Sequence, residues 1–161
     1  MDLFARSSKN PILKPRNGTY FDSYFVEMGP APIETDKGWL VLYHGVNRQN
    51  VYRLGFLILD TNDLRKIIYR SATPIFEPRE PYEVKGIVDI LPGGWKKMQK
   101  MDPNELQVFI KKYAKEEKMP LVAFVCGATL TDGLLRIYYG ASDTFICTAT
   151  AKLDSILNLA K

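Results

Sequence analysis

The apolar residues fall into short runs fenced by turn formers, and the runs are rich in β-branched and aromatic side chains. That pattern belongs to strands rather than helices. The densest stretch is residues 29–60, GPAPIETDKGWLVLYHGVNRQNVYRLGFLILD. It predicts three consecutive strands: a short one over 30–35 interrupted by prolines, a second over 39–46 and a third over 51–60. Asp36-Lys37-Gly38 and residues 47–50 are the turns between them, because Asp and Asn tolerate left-handed backbone and Gly takes positive φ freely. Asn62-Asp63 makes the next turn, and residues 65–70, RKIIYR, close a four-stranded antiparallel unit. Upstream, residues 20–27, YFDSYFVE, read as a strand or a packed loop, and residues 11–15, PILKP, are extended because residues before proline avoid helix. A second strand group comes downstream, over 121–130, 134–139 and 144–150, with Thr131-Asp132-Gly133 as a turn. Residues 155–161 form a short amphipathic tail.

The region between the two groups differs. Residues 71–86 hold three prolines and little periodicity, as expected of a long surface connection. Residues 87–91 predict a short strand, ended by Pro92-Gly93-Gly94. Residues 103–118 then predict a helix: Asp102 is an N-cap, Pro103 suits the first helical position, and Glu105 sits three beyond the cap. Leu106, Phe109, Ile110 and Tyr113 fall on one stripe. The opposite face carries Lys111, Lys115 and Lys118, with Lys96, Lys97 and Lys100 just upstream. This is either a solvated helix face or a contact for an anion, a lid or a partner.

The strand groups also resemble each other. Residues 35–45, TDKGWLVLYHG, align with 130–140, LTDGLLRIYYG, with the turn slipped by one, and both third strands end in Leu-Asp. A repeated antiparallel unit of this kind suggests propeller blades, although two cannot close a ring that typically needs at least four.

Composition narrows the class. The 161 residues are 46% hydrophobic and 25% charged, the profile of one globular domain. A net charge of +4 is only mild support for an anionic partner, and no recognised nucleic-acid motif accompanies it. Cys126 and Cys147 lie in predicted strands without metal-ligand spacing, so neither a metal nor a cofactor is expected. No apolar run reaches the eighteen or so residues of a membrane span, and the first residues, MDLFARSSKNP, lack a signal-peptide core. The expected compartment is the cytoplasm, where the sequon Asn17-Gly18-Thr19 has no role.

Five stretches taken together carry a family resemblance: PILKPRNGTYFDS (11–23), VEMGPAPIETDKGWLVLYHGV (26–46), YRLGFLILD (52–60), PIFEPREPYEVKGIVDI (74–90) and FVCGATLTDGLLRIYYGASDT (124–144) with the following TATAKLD. The sequence resembles the family-130 glycosidases, the β-mannoside phosphorylases and related mannosidases. The resemblance implies a mainly β fold, a partial five-bladed β-propeller of about two four-stranded antiparallel blades. It implies one domain over 1–161, like the C-terminal half of that propeller, with a helical insertion at about 92–120. The family's general acid is an aspartate of the first half, and no residue here corresponds to it. Phe124-Val125-Cys126-Gly127 replaces the family's usual FPCG, and Met28 stands where a small residue is common.

The resemblance also names candidate residues. His44, the only histidine, and Arg53 are candidates for inorganic phosphate as co-substrate, since arginine and protonated histidine give charge-assisted bonds to a dianion. A structural histidine, and an Arg53 paired with a local acid such as Asp60, are the competing readings. Glu27 is the candidate catalytic base of an inverting hydrolase, or else a surface glutamate. Arg16, Asp22, Tyr43, Tyr139 and Asp143 are candidates for substrate contact. Asp143 could instead simply form the Ser142-Asp143-Thr144 turn, and the tyrosines could pack in the core. The implied activity is phosphorolysis or hydrolysis of β-mannosides, incomplete in this chain alone and completed by a homo-oligomer or a companion chain supplying the missing blades. The alternative is a non-catalytic carbohydrate-binding or assembly module of the same descent.

Overall fold

The structure, a computed structural model, describes residues 10–80, 82–84, 100–105, 108, 122–142 and 145–160. Among these, eight strands form two antiparallel sheets. The first sheet contains β1 (Phe25–Met28), β2 (Ile33–Thr35), β3 (Gly38–Val46), β4 (Tyr52–Leu59) and β5 (Ile67–Arg70). Its order is β1-β3-β4-β5, with β2 also on β3. β1 pairs with the second half of β3 and β2 with the first half, so one bent edge runs along β3 and breaks at the Gly29–Pro32 bend. The second sheet is β6 (Ala123–Thr131), β7 (Leu134–Ala141) and β8 (Phe145–Lys152), followed by a short helix α1 (Leu153–Leu157).

Among the described residues the expected strands are present with ends shifted by up to three residues, some shorter and some longer. Residues 20–24 form a loop and only Phe25 onward is strand, because the Phe21 and Asp22 side chains turn inward there. Asp102 caps as its position predicts, its Oδ1 accepting the N–H groups of Asn104 (2.8 Å) and Glu105 (3.1 Å). Most of the predicted 103–118 helix, its basic face and the expected 87–91 strand lie outside the described residues.

β3 and β4 are buried almost throughout, without the alternation of a half-exposed sheet. Each therefore packs both faces. One face, with Leu40, Leu42, Leu54, Phe56 and Ile58, meets Val125, Leu135, Ile137 and Tyr139 of the second sheet and Ile156 and Leu157 of α1. The other, with Val41, Tyr43, Leu57 and Leu59, is covered in part by Leu13 and Phe21 of the incoming segment. Phe21 fits because Gly45 and Gly55 leave room: a Cβ on Gly45 would sit 2.5 Å from the Phe21 ring, and one on Gly55 2.6 Å from it.

The slipped turn of the internal repeat has a backbone cause. The β6–β7 hairpin turns on Asp132-Gly133, both with positive φ, the type I′ geometry that matches strand twist. In the β2–β3 hairpin neither Asp36 nor Lys37 takes positive φ, and Gly38 does so instead (φ 116°). The left-handed residue therefore comes one position later. A bulge in β6 between Val125 and Gly127 turns Cys126 out to solvent.

Candidate functional site

Three of the expected site residues converge on one buried carboxylate. Asp22 is wholly buried. Its Oδ1 accepts the Arg16 Nε–H (2.7 Å), and its Oδ2 accepts the Tyr43 hydroxyl (2.7 Å) and the Arg70 guanidinium. Both arginines are fixed further, Arg16 to the Ser71 carbonyl and Arg70 to the Lys14 carbonyl, each at 3.0 Å. Arg16 also lies 4.1 Å over the Tyr20 ring. Burial alone would raise the Asp22 pKa, but the bonds from Arg16, Tyr43 and Arg70 outweigh it and hold the carboxyl below its usual range. Burial, with the Asp22 charge beside it, pushes Tyr43 up to about 12. The knot ties the 10–24 segment to the first sheet, and its bonding capacity is spent internally. Nothing in the sequence singled out Arg70. Its position at the end of a short strand is the one signal available.

His44 is also wholly buried. Its ring stacks on Phe124 at 4.1 Å, nearly parallel, and its Nε2 accepts the Val125 main-chain N–H at 2.8 Å. An imidazole that accepts at Nε2 carries its proton on Nδ1. Burial pushes the His44 pKa down to about 4, with the nearby Met28 main chain pulling slightly the other way, so the ring is neutral at pH 7. In this state it does not carry the positive charge expected from the resemblance. No hydrogen bond of normal geometry closes on Nδ1 among the described residues, and the same holds for the buried Oε2 of Glu27. These two residues stand directly opposite each other in the β1–β3 ladder. A buried donor and a buried acceptor thus share one place on the sheet, the donor with the Met28 main chain close by. Such groups are uncommon and costly.

Arg53 is one residue out of step with His44. In the β3–β4 register His44 faces Leu54, and Arg53 faces Gly45. Successive strand residues point to opposite faces, so the His44 and Arg53 side chains leave the sheet on opposite sides and do not converge on one ion. Arg53 does pair with an acid, but with Glu77 (Nε to Oε2, 3.1 Å) rather than Asp60, which pairs with Lys66. Arg79 holds the other Glu77 oxygen at 3.1 Å.

Tyr139 packs in the inter-sheet core against the edge of Phe76, and its hydroxyl donates to Glu83 Oε1 at 2.6 Å. Glu83, nearly fully buried, takes the N–H groups of Arg79 (2.7 Å) and Glu80 (2.9 Å) on its other oxygen. Burial raises its pKa, but these bonds prevail and keep it lowered. Burial and the Glu83 charge raise the Tyr139 pKa. The Tyr43 and Tyr139 rings are both packed, at 1% and 3% exposed. A cleft of about 350 Å³ opens beside this turn, lined by Glu77, Arg79, Glu80 and Tyr82. Asp143 lies outside the described residues. Among the described residues no group of acids, histidines and cysteines could hold a metal, and no helix is long and apolar enough to cross a membrane.

Comparison with known proteins adds a lineage. Residues 3–91 match the family model described as beta-1,4-mannooligosaccharide phosphorylase. A 1,2-beta-oligomannan phosphorylase of Thermoanaerobacter sp. (strain X514) is 34% identical over 96% of this chain and 42% of its own length. A beta-1,4-mannooligosaccharide phosphorylase of Ruminococcus albus is 31% identical over 88% of this chain and 34% of its own. The solved beta-1,2-mannobiose phosphorylase of Listeria innocua, in complex with beta-1,2-mannobiose, superposes on 92% of this chain and 33% of its own, with a TM-score of 0.70 and 32% identity. The chain spans between 34% and 42% of the length of the curated relatives it matches.

Proposed function

The chain belongs to glycoside hydrolase family 130, that of the beta-1,4-mannooligosaccharide phosphorylases, and on that premise we propose that it takes part in handling β-mannosides with inorganic phosphate as co-substrate. The observation that carries this reading within the structure is the pair Glu27 Oε2 and His44 Nδ1–H, placed opposite each other on β1 and β3, neither closed by a hydrogen bond of normal geometry among the described residues. An acceptor and a donor side by side suit a sugar hydroxyl, which both gives and takes a hydrogen bond. Arg53 leaves the sheet on the side away from this pair, so in this reading it is a separate anion contact, exchanging its Glu77 partner for phosphate, and Asp143 is a sugar contact. The Asp22 knot and Tyr139 hold the scaffold instead of touching substrate.

In the same reading the two sheets are two blades of a five-bladed propeller, in one domain with an insertion at about 92–120. Turnover needs an acid from a companion chain, and the chain works in an assembly, as a homo-oligomer or with that companion. Its compartment is the cytoplasm, in keeping with two free thiols. The relatives named above act on both β-1,2 and β-1,4 linkages, so the probe must include both.

Titration calorimetry with β-1,2-mannobiose and β-1,4-mannobiose, with and without phosphate, is the direct test. Binding that is lost in Glu27→Gln and in His44→Phe, both still folded, supports the reading. Absence of heat with every mannoside tested ends it. Release of mannose 1-phosphate on adding phosphate would separate phosphorolysis from binding alone.

A further inference from the structure

Among the described residues each sheet of the sandwich also has an outer side, turned away from the other sheet. On the outer face of the first sheet, a groove of about 470 Å³ runs between the 10–24 segment and the sheet. Its lining is almost wholly apolar and includes Ile12, Met28, Trp39, Leu57, Leu59 and Leu64. Ile12, Met28 and Leu64 are half-exposed. On the outer face of the second sheet, Leu134, Arg136 and Tyr138 of β7 and Ile146 of β8 point away from the core, alternating with buried Leu135, Ile137 and Tyr139. Ile146, near the start of the edge strand β8, is 91% exposed. Around these residues stand Thr129, Thr131, Thr148 and Thr150, short side chains over which the apolar ones project as knobs.

The two faces carry opposite charges. Glu34 lies opposite Trp39 in the β2–β3 ladder, hence on the groove side of the sheet, and it is exposed. Arg136 sits between the knobs Leu134 and Tyr138. Neither charge has an ion-pair partner among the described residues. Contiguous exposed apolar surface with a polar rim marks an interaction site. We propose that copies of this chain stack head-to-tail, the β6–β8 outer face of one copy seated in the groove on the first sheet of the next, with Arg136 of one meeting Glu34 of the other. A contact between two different faces is heterologous, and it grows into a ring or a filament rather than stopping at two. The inference makes the assembly part of the proposed function specific. It is read by mass alone, so its failure leaves the mannoside reading intact, and failure of mannoside binding leaves the stacking intact.

Sedimentation velocity of the full chain across a dilution series tests it. The wild type should form concentration-dependent species larger than a dimer. Ile146→Asp, which spoils the knob, and Met28→Asp, which spoils the groove, change exposed positions and should each give a folded monomer. Mixed in equal amounts they should form a one-to-one dimer and nothing larger, because one intact knob meets one intact groove. Glu34→Arg and Arg136→Glu should each weaken assembly, and the double reversal should restore it. A wild type that stays monomeric overturns the proposal. So does an Ile146→Asp variant that assembles like wild type, a mixture that stays monomeric, or a different polypeptide that occupies the groove and is released by Met28→Asp.

Discussion

The Nε2 atom of His44 accepts the main-chain N–H of Val125 across the interface between the two sheets, 81 residues apart in sequence and 2.8 Å apart in space. The bond occurs where the β6 bulge begins, so the imidazole satisfies a donor next to an irregularity in the ladder. It also requires that the ring be neutral on that nitrogen.

Acid should therefore loosen the joint between the sheets. The folded-state pKa of His44 is depressed to about 4 from an ordinary 6.5. The unfolded chain binds a proton below 6.5 and the folded one resists until about 4, so stability falls as pH drops through that window and is complete above it. The full difference is about 3 kcal/mol at 1.36 kcal/mol per pH unit. Urea unfolding of wild type and His44→Gln at matched pH values checks this. The wild type should lose more stability than the variant between pH 6.5 and 4, and parallel curves would contradict it.

Removal of the Asp22 charge should be costly. Asp22→Asn leaves Arg16 and Arg70, both only partly exposed, facing a neutral amide at a buried position. Breaking a buried pair by changing one partner costs about 3–5 kcal/mol. Chemical denaturation should show that loss, and limited proteolysis should show the 10–24 segment cleaved first, since the knot is what holds it.

Gly45→Ala should destabilise by more than an ordinary strand glycine would, because the new methyl meets the Phe21 ring at 2.5 Å. Overpacking of this kind costs about 1–3 kcal/mol. Phe21→Leu should recover part of the loss in the double variant, though it is destabilising alone. A strictly additive double-mutant cycle would show that the ring does not fill this slot.

Tyr139→Phe removes the hydroxyl that donates to Glu83. One carboxylate oxygen then loses its partner in a buried site, for about 1–3 kcal/mol. The loss should appear as a lowered thermal midpoint, with Glu83→Gln showing a loss of similar size and the double variant less than the sum.

Phosphate should raise the melting temperature of the wild type by binding the folded state, and Arg53→Ala should lose that rise. Sulfate, of similar shape, serves as the control for general ionic effects. A wild type indifferent to phosphate would remove Arg53 from the proposed site.

Most of the strands were legible because their apolar runs end at Asp, Asn and Gly, whose backbone preferences are local. The Asp102 cap was legible for the same reason. The faces were not. Leu40, Leu42 and His44 point one way and Val41 and Tyr43 the other, and a continuous apolar run does not reveal which residue looks at which neighbour. Hence His44 and Arg53 read as one anion site when they leave the sheet on opposite sides. Asp22 and Tyr43 read as ligand contacts because their type and position match the family motif. Their partner Arg70 is 48 residues from Asp22, and no local signal connects them. Glu83 lay in a proline-rich stretch with no periodicity to mark it as buried.

The unbroken burial of β3 and β4 has one more consequence. In a sheet with one wet face, a slip of one residue would turn oily side chains to water, and that penalty fixes the alignment of the strands. Here both faces are dry, and a shifted β3 would still present oil to both sides. Alignment must be kept by the few positions that are not interchangeable. Gly45 and Gly55 admit Phe21 at one place only, Tyr43 reaches Asp22 at one place only, and His44 finds the Val125 N–H at one place only. These residues act as teeth on an otherwise smooth rack. Substituting them should yield misaligned but still compact chains, visible as altered hydrogen-exchange patterns in β3 and β4 with the strand content unchanged.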